Sequence, residues 1–343
     1  MPSRRAVAVI LAVAVSLAVV AVAVGTFAFR RSEAGPPARG DLIAYSCKEK
    51  NNPWYAICVV GRDGSDPRRV TSKLATTDPA WSPDGGRIVF TRNEDVGEST
   101  LFTSDDVFVM DADGSAVRQL TQDRGGRSFG QPAWSPDGSQ IAYVDGASVS
   151  STVSFRFGRL TVVDVDGSGA RRVTDGRVDA DPDWSPNGRE IAFTRGVDLA
   201  SFDNANQDVH AVDVQTGKVR RLTRTPAGVF ESAPTWSPDG SRIAFARWTL
   251  GTQFDGRAAI YVMKPDGSDQ RLVLEHQHYA SGPYSLAWSP DGTRIAFETS
   301  SLLGCTSIST VGLVSGTSRP LTTCERPRDS SAAPAWQPSV DPG

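Results

Sequence analysis

Histidine is scarce in this 343-residue sequence, which carries three, at positions 210, 276 and 278. So few imidazoles argue against a histidine-built metal or acid–base centre. Cysteine is nearly as rare, with four residues at 47, 58, 305 and 324. None precedes position 47, so a lipid-modified N-terminal cysteine is not expected. The one Gly-x-Ser-x-Gly string, Gly126-Arg127-Ser128-Phe129-Gly130, runs directly into Gln131-Pro132-Ala133-Trp134, so the strand-to-helix nucleophile elbow of a hydrolase is not expected there. Basic charge is not gathered into a stripe. The first forty residues hold five Arg and one Glu, which leaves −7 on the remainder of a chain whose total is −3. Nucleic acid is therefore not an expected partner. Aspartate-rich strings such as Asp111-Ala-Asp-Gly lack the ligand spacing and closing Glu of an EF-hand. They fall where a hairpin needs Asp-Gly. No catalytic constellation is legible, and neither a cofactor nor a metal is expected.

Long hydrophobic runs are limited to one. Residues 6–29, from Ala6 to Phe29, are nearly all apolar and uncharged, with Arg4 and Arg5 before them and Arg30 and Arg31 after. As a helix they reach about 36 Å, enough for a hydrocarbon core of about 30 Å with some tilt. A signal anchor over 1–30 is expected, because the run exceeds the h-region of a cleaved leader. A signal peptide is the alternative, given Ala21-Val-Ala23 and Thr26-Phe-Ala28. Either way the rest of the chain is expected outside the cytoplasm, held to the cell membrane by one span or secreted. Residues 31–40 read as a linker.

What is abundant is repetition. Trp-Ser-Pro-(Asp/Asn)-Gly occurs at Trp81, Trp134, Trp184, Trp236 and Trp288, and a broken copy sits at Trp336. A period near fifty residues signals stacked copies of one supersecondary unit. Each unit holds four strand signals: a Pro-containing Trp segment, an Ile-Ala-Phe strand, an apolar strand such as Val107–Met110, and a short strand ending in Thr. The first is expected at a sheet edge, because Pro79, Pro132, Pro182, Pro234 and Pro334 cannot donate to a ladder. Pro-Asp-Gly and Asp-Gly-Ser supply the turns. Four antiparallel strands covered on both faces describe a propeller blade. Residues 42–71 lack a Trp strand before them, and Ala335-Trp336 lacks partners after it. The C-terminal strand is thus expected to complete the N-terminal blade, closing an all-β, six-bladed propeller over 41–338 with a tail at 339–343.

The repeat resembles the WD-like propeller repeat of the TolB family of bacterial envelope proteins. That resemblance implies a periplasmic propeller and is weak for activity.

In such a blade the first-to-second and third-to-fourth turns emerge on one face, and here they are short. The loops on the other face are long and dissimilar: 93–104, 146–157, 197–206 and 248–257 within blades, and 122–131, 224–233 and 275–285 between them. Recognition is expected there. Asp78, Gln131, Asp181 and Glu231 precede Trp strands at the channel mouth. Asp183 stands where other repeats have Ala or Thr, either as a satisfied structural carboxylate or as part of a cation or basic-ligand site. Trp54, Phe202, Trp248 and Phe254 lie in or near the long loops as candidate anchors. His210 occupies the strand position of Phe108 and Tyr261, as a core filler. Cys47–Cys58 and Cys305–Cys324 are expected as two local disulfides, with four reduced thiols as the alternative. The expected function is non-catalytic: a monomeric binding or scaffold propeller for a protein or peptide in the cell envelope. A metal-dependent propeller enzyme of lyase or lactonase type and a purely structural envelope protein are the alternatives.

Overall fold

The computed structural model describes residues 41–48, 54–71, 75–93, 105–122, 127–147, 158–176, 178–196, 206–249, 256–276, 283, 285–300, 306–323 and 331–339. The expected N-terminal span and linker lie outside these residues. Among the described residues no helix is long and apolar enough to cross a membrane.

The described residues form β-strands in groups of four. The first group begins with β1 (Leu42–Lys48), β2 (Tyr55–Gly61) and β3 (Arg68–Arg69). The second is β4 (Thr76–Trp81), β5 (Arg87–Asn93), β6 (Asp105–Asp111) and β7 (Arg118–Gln119). The third is β8 (Arg127–Trp134), β9 (Gln140–Ala147), β10 (Gly158–Asp164) and β11 (Arg171–Arg172). The fourth is β12 (Asp179–Trp184), β13 (Glu190–Gly196), β14 (Gln207–Asp213) and β15 (Val219–Arg221). The fifth is β16 (Val229–Trp236), β17 (Ile243–Thr249), β18 (Arg257–Met263) and β19 (Arg271–His276). The sixth is β20 (Leu286–Trp288), β21 (Arg294–Ser300), β22 (Thr306–Gly312) and β23 (Ser318–Pro320). Neighbours within a group pair antiparallel. Single bridges, Gly158 to Asp179 and Gln207 to Phe230, join the third, fourth and fifth groups.

The last strand, β24 (Ser331–Trp336), pairs with β1 and gives the first group its fourth member. Gln337, which replaces the Ser of the repeat, clamps the seam. Its N–H donates to the Leu42 carbonyl at 2.8 Å, and its Nε2 donates to the Gly85 carbonyl at 3.1 Å.

The repeated motif folds by local chemistry. In the second group, Ser82 Oγ donates to Asp84 and accepts the Arg87 N–H at 2.8 Å, while Asp84 also accepts the Gly86 N–H at 3.0 Å. Gly85 supplies the positive φ, 63°, that closes the turn. The pattern recurs at Ser135–Asp137, Ser237–Asp239 and Ser289–Asp291, and Asn187 does the same work beside Ser185.

Cores lie between consecutive groups. Trp81, Ile88 and Phe90 pack on Leu42, Ala44 and Ile57, and Trp134, Ile141 and Tyr143 pack on Val89, Val107 and Leu120. The series returns to its start, because Ile308 and Leu321 of the sixth group pack on Ile43, Tyr45 and Cys58 of the first. Phe90, Phe193, Phe245 and Phe297 are fully buried, each contributing about 1.5–3 kcal/mol. This is the all-β propeller architecture that the repeat implies.

Two expectations need correction. The short fourth strands pair over fewer residues than their sequence signals span. The Thr that ends each signal acts as a side-chain clamp instead: Thr71, Thr121, Thr174, Thr223 and Thr322 each accept, through Oγ1, a third-strand N–H at 2.8–3.0 Å. The first strands begin earlier than expected, so β8 and β16 consume residues assigned to loops 122–131 and 224–233. A bulge at the proline lets pairing continue beyond it.

Candidate functional site

That bulge builds the candidate site. The residue before each first-strand proline has left-handed backbone: Asp78 (φ 52°), Gln131 (52°), Asp181 (53°), Ala233 (49°) and Ala333 (50°). Register shifts at the same places, between Thr77 and Ala80, Gly130 and Ala133, Ala180 and Asp183, and Ser232 and Thr235. Proline has no N–H, so the interruption forfeits no ladder bond there. The bulge re-aims the side chain before it.

These side chains meet across neighbouring groups. Gln131 Nε2 donates to Asp181 Oδ1 at 2.6 Å, and the Asp181 N–H donates to Gln131 Oε1 at 3.1 Å. Asp181 Oδ2 accepts the Ala233 N–H at 3.1 Å and the Thr194 hydroxyl at 3.2 Å. Glu298 Oε2 accepts the Ala333 N–H at 3.2 Å. Burial raises the Asp181 carboxyl above its ordinary range, and the charge of Asp78 adds to this. Burial pushes Glu298 up to about 7, again with Asp78 adding. The charge of Asp78 thus acts on both of these buried carboxyls. Second-strand hydroxyls share its register: Ser46 and Thr91 sit where Thr194 sits. Their Oγ atoms are buried without a hydrogen-bond partner. The layer is rich in acceptors and suits a donor-bearing or basic group. Among the described residues no cluster of three His, Cys, Asp or Glu is placed to hold a metal ion.

The other expected residues lie elsewhere. Asp183 Oδ2 accepts the Trp236 N–H at 2.6 Å, so the carboxylate ties the fourth group to the fifth; burial pushes it up to about 6. Glu231 is not in the layer of Asp78, Gln131 and Asp181. It is fully buried, accepts Arg247 NH2 at 2.6 Å, and also accepts the Val209 N–H. Ala233 occupies the layer position of that group, two residues further on, and Glu231 corresponds to Asp179, which pairs with Arg195 at 2.6 Å. Trp248 is a strand residue and not an exposed anchor: it is buried in β17, and its Nε1 donates to Ser232 Oγ at 3.2 Å. Phe202, Phe254, His278, Cys305 and Cys324 lie outside the described residues. Cys47 and Cys58 form a disulfide with Cα atoms 5.8 Å apart. His210 is a core filler, its ring 5.6 Å from that of Phe193. Glu298 and Thr194 were missed from sequence. The signal that finds them is the residue following the second-strand aromatic.

The model of the TolB beta propeller domain matches residues 34–199 and 149–341. The chain belongs to this family. Two curated relatives are an uncharacterized protein of Agrobacterium fabrum and an uncharacterized peptidase, YuxL, of Bacillus subtilis. The first is 32% identical over 56% of this chain and 62% of its own length. The second is 26% identical over 50% of this chain and 22% of its own length. The matches thus span less than two thirds of both relatives. TolB of Acinetobacter baumannii superposes with a TM-score of 0.67 at 21% identity, over 89% of this chain and 68% of that one. At this identity the likeness shows the fold, and the propeller is TolB-like. Fold alone does not assign an activity.

Proposed function

We propose that this TolB-like protein is an extracytoplasmic binding or scaffold propeller of six blades, which takes a protein or peptide partner on its long-loop face. The six groups of strands, with a core between the sixth and the first, support the blade number. The disulfide supports an oxidising compartment, and residues 6–29 are the proposed membrane anchor. One observation carries the binding reading. Trp54 is 41% exposed immediately before β2, which Cys47–Cys58 cross-links to β1. A large aromatic on a stapled hairpin is preorganised and loses little freedom on binding. Asp78, Gln131, Asp181 and Glu298 would then receive a basic or donor group of the same partner at the axis.

The test is capture from envelope extract by the full chain and by Trp54→Ala. A partner whose affinity falls about tenfold or more in the variant, at unchanged melting temperature, is the expected result. Equal recovery of every partner overturns the proposal. A metal-dependent enzyme, the competing reading, requires a stoichiometric transition metal on the purified protein, which elemental analysis detects.

A further inference from the structure

Between the second and third groups lies a cavity of about 320 Å³, and the repeat itself explains why it is there. In the second, fourth and fifth groups a third-strand ring packs beside the second-strand aromatic. Phe108 lies 5.9 Å from Phe90, His210 lies 5.6 Å from Phe193, and Tyr261 lies 5.8 Å from Phe245. In the third group the aromatic is Tyr143, and its cross-strand partner is Thr161. The third-strand ring is missing here, as it is in the first and sixth groups, where Cys58 and Ser309 stand opposite Tyr45 and Phe297; Tyr143 instead meets the first-strand ring of Phe129 edge-on at 5.8 Å. The charge two residues beyond the aromatic is inverted as well. Arg92, Arg195 and Arg247 hold that place in the second, fourth and fifth groups and lie over the rings, whereas here it is Asp145.

Both replacements line the cavity, and both leave polar atoms unused. Thr161 is 4% exposed and Asp145 is 8% exposed, yet Thr161 Oγ1 and Asp145 Oδ1 have no hydrogen-bond partner. Asp145 Oδ2 is occupied by Arg127, so the carboxylate is already neutralised and the vacant oxygen needs a donor more than it needs a cation. Leu120, Phe129, Tyr143 and Val163 form the apolar part of the lining, and Thr121, Gln122, Arg127 and Arg172 add polar groups to it. The volume is at the lower end of the range for small-ligand pockets and exceeds that needed for one ring.

We propose that this inter-blade cavity binds a neutral aromatic ring carrying a hydroxyl donor, a phenol. The ring would take the place that Tyr261 fills in the fifth group, with its hydroxyl satisfying Asp145 or Thr161. Neither Trp54 nor Asp181 lines this cavity, so it stands or falls independently of the function proposed above.

The experiment is titration of the full-length protein with p-cresol, with toluene as the ring without a donor, followed by ligand-observed NMR and calorimetry. Saturable p-cresol binding, tighter than toluene, is expected. Thr161→Phe restores the ring found at Phe108; it should abolish binding and raise the melting temperature. Thr161→Val keeps the space and removes the hydroxyl, so p-cresol should weaken by about tenfold or less while toluene is unchanged. A second arm uses a blocked pentapeptide with a central tyrosine: tighter binding than p-cresol identifies a partner's side chain, and equal or weaker binding identifies a free phenol. The proposal is overturned by absence of saturable p-cresol binding up to about 10 mM, or by unaltered affinity in folded Thr161→Phe.

Discussion

Gln131 and Asp181 exchange two hydrogen bonds across the boundary between the third and fourth groups, 2.6 Å one way and 3.1 Å the other. Both residues have left-handed backbone, and Asp181 passes the connection on to the Ala233 N–H of the fifth group. The inner layer is thus a chain of side-chain to backbone bonds running from group to group.

Removing its central link should be costly. Asp181→Ala strands the Ala233 N–H and the Gln131 amide together, and a loss of about 1–3 kcal/mol is expected. Asp181→Asn keeps one acceptor and should cost less. Denaturant midpoints of the two variants, at equal m-values, check the order.

The left-handed alanines offer the opposite change. Ala233 and Ala333 hold φ of 49° and 50°, where a Cβ costs about 1–2 kcal/mol. Glycine relieves that strain but adds unfolded-state freedom. Ala233→Gly should therefore stabilise by about 0.5–1 kcal/mol, read as a higher urea midpoint. A lower midpoint would show that the bulge is not strained.

The repeated turn sets part of the acid response. The Ser237 and Ser241 hydroxyls hold the Asp239 carboxyl down at about 2, against an ordinary 3.8. A lowered folded value means that the contribution is present above pH 3.8 and is lost as pH falls through 2. Asn187 shows that an amide serves the same turn. Asp239→Asn should leave the melting temperature near its wild-type value at pH 7 and flatten its decline between about pH 4 and 2.

Glu298 should act in the reverse sense. Its folded value of about 7 lies above the ordinary 4.5. Below pH 4.5 both states are protonated and nothing is lost. As pH rises towards 7 the unfolded chain gives up its proton first, so the folded state is penalised, fully above 7. Glu298→Gln keeps an acceptor for the Ala333 N–H. Its melting temperature should exceed that of the wild type at pH 8 and match it at pH 4.

Much of the architecture was legible because the Trp-Ser-Pro-Asp-Gly turn is made by neighbours in sequence. Ser82, Asp84 and Gly85 need nothing distant to find their geometry, and the same holds for the Cys47–Cys58 hairpin. The site was less legible because a bulge breaks the two-residue alternation. Once Asp181 turns left-handed, a carboxylate three residues before Trp reaches the inner layer, while one five residues before, such as Glu231, is buried against an arginine. Sequence spacing makes the two look alike. Trp248 failed for a related reason: β17 runs on to Thr249, so an assumed loop residue is still in register with Phe230. Glu298 carries no motif, and only its position after Phe297 marks it.

The pairing of β24 with β1 also constrains biosynthesis. Leu42 emerges from the ribosome nearly three hundred residues ahead of the segment that must lie beside it. Until Trp336 is made, one flank of the opening strand stays bare, and contacts so far apart in sequence form slowly. The nascent chain therefore depends on being kept from aggregating until Ser331–Trp336 arrives. Trimming that stretch would leave a permanently sticky margin at the opposite end of the polypeptide.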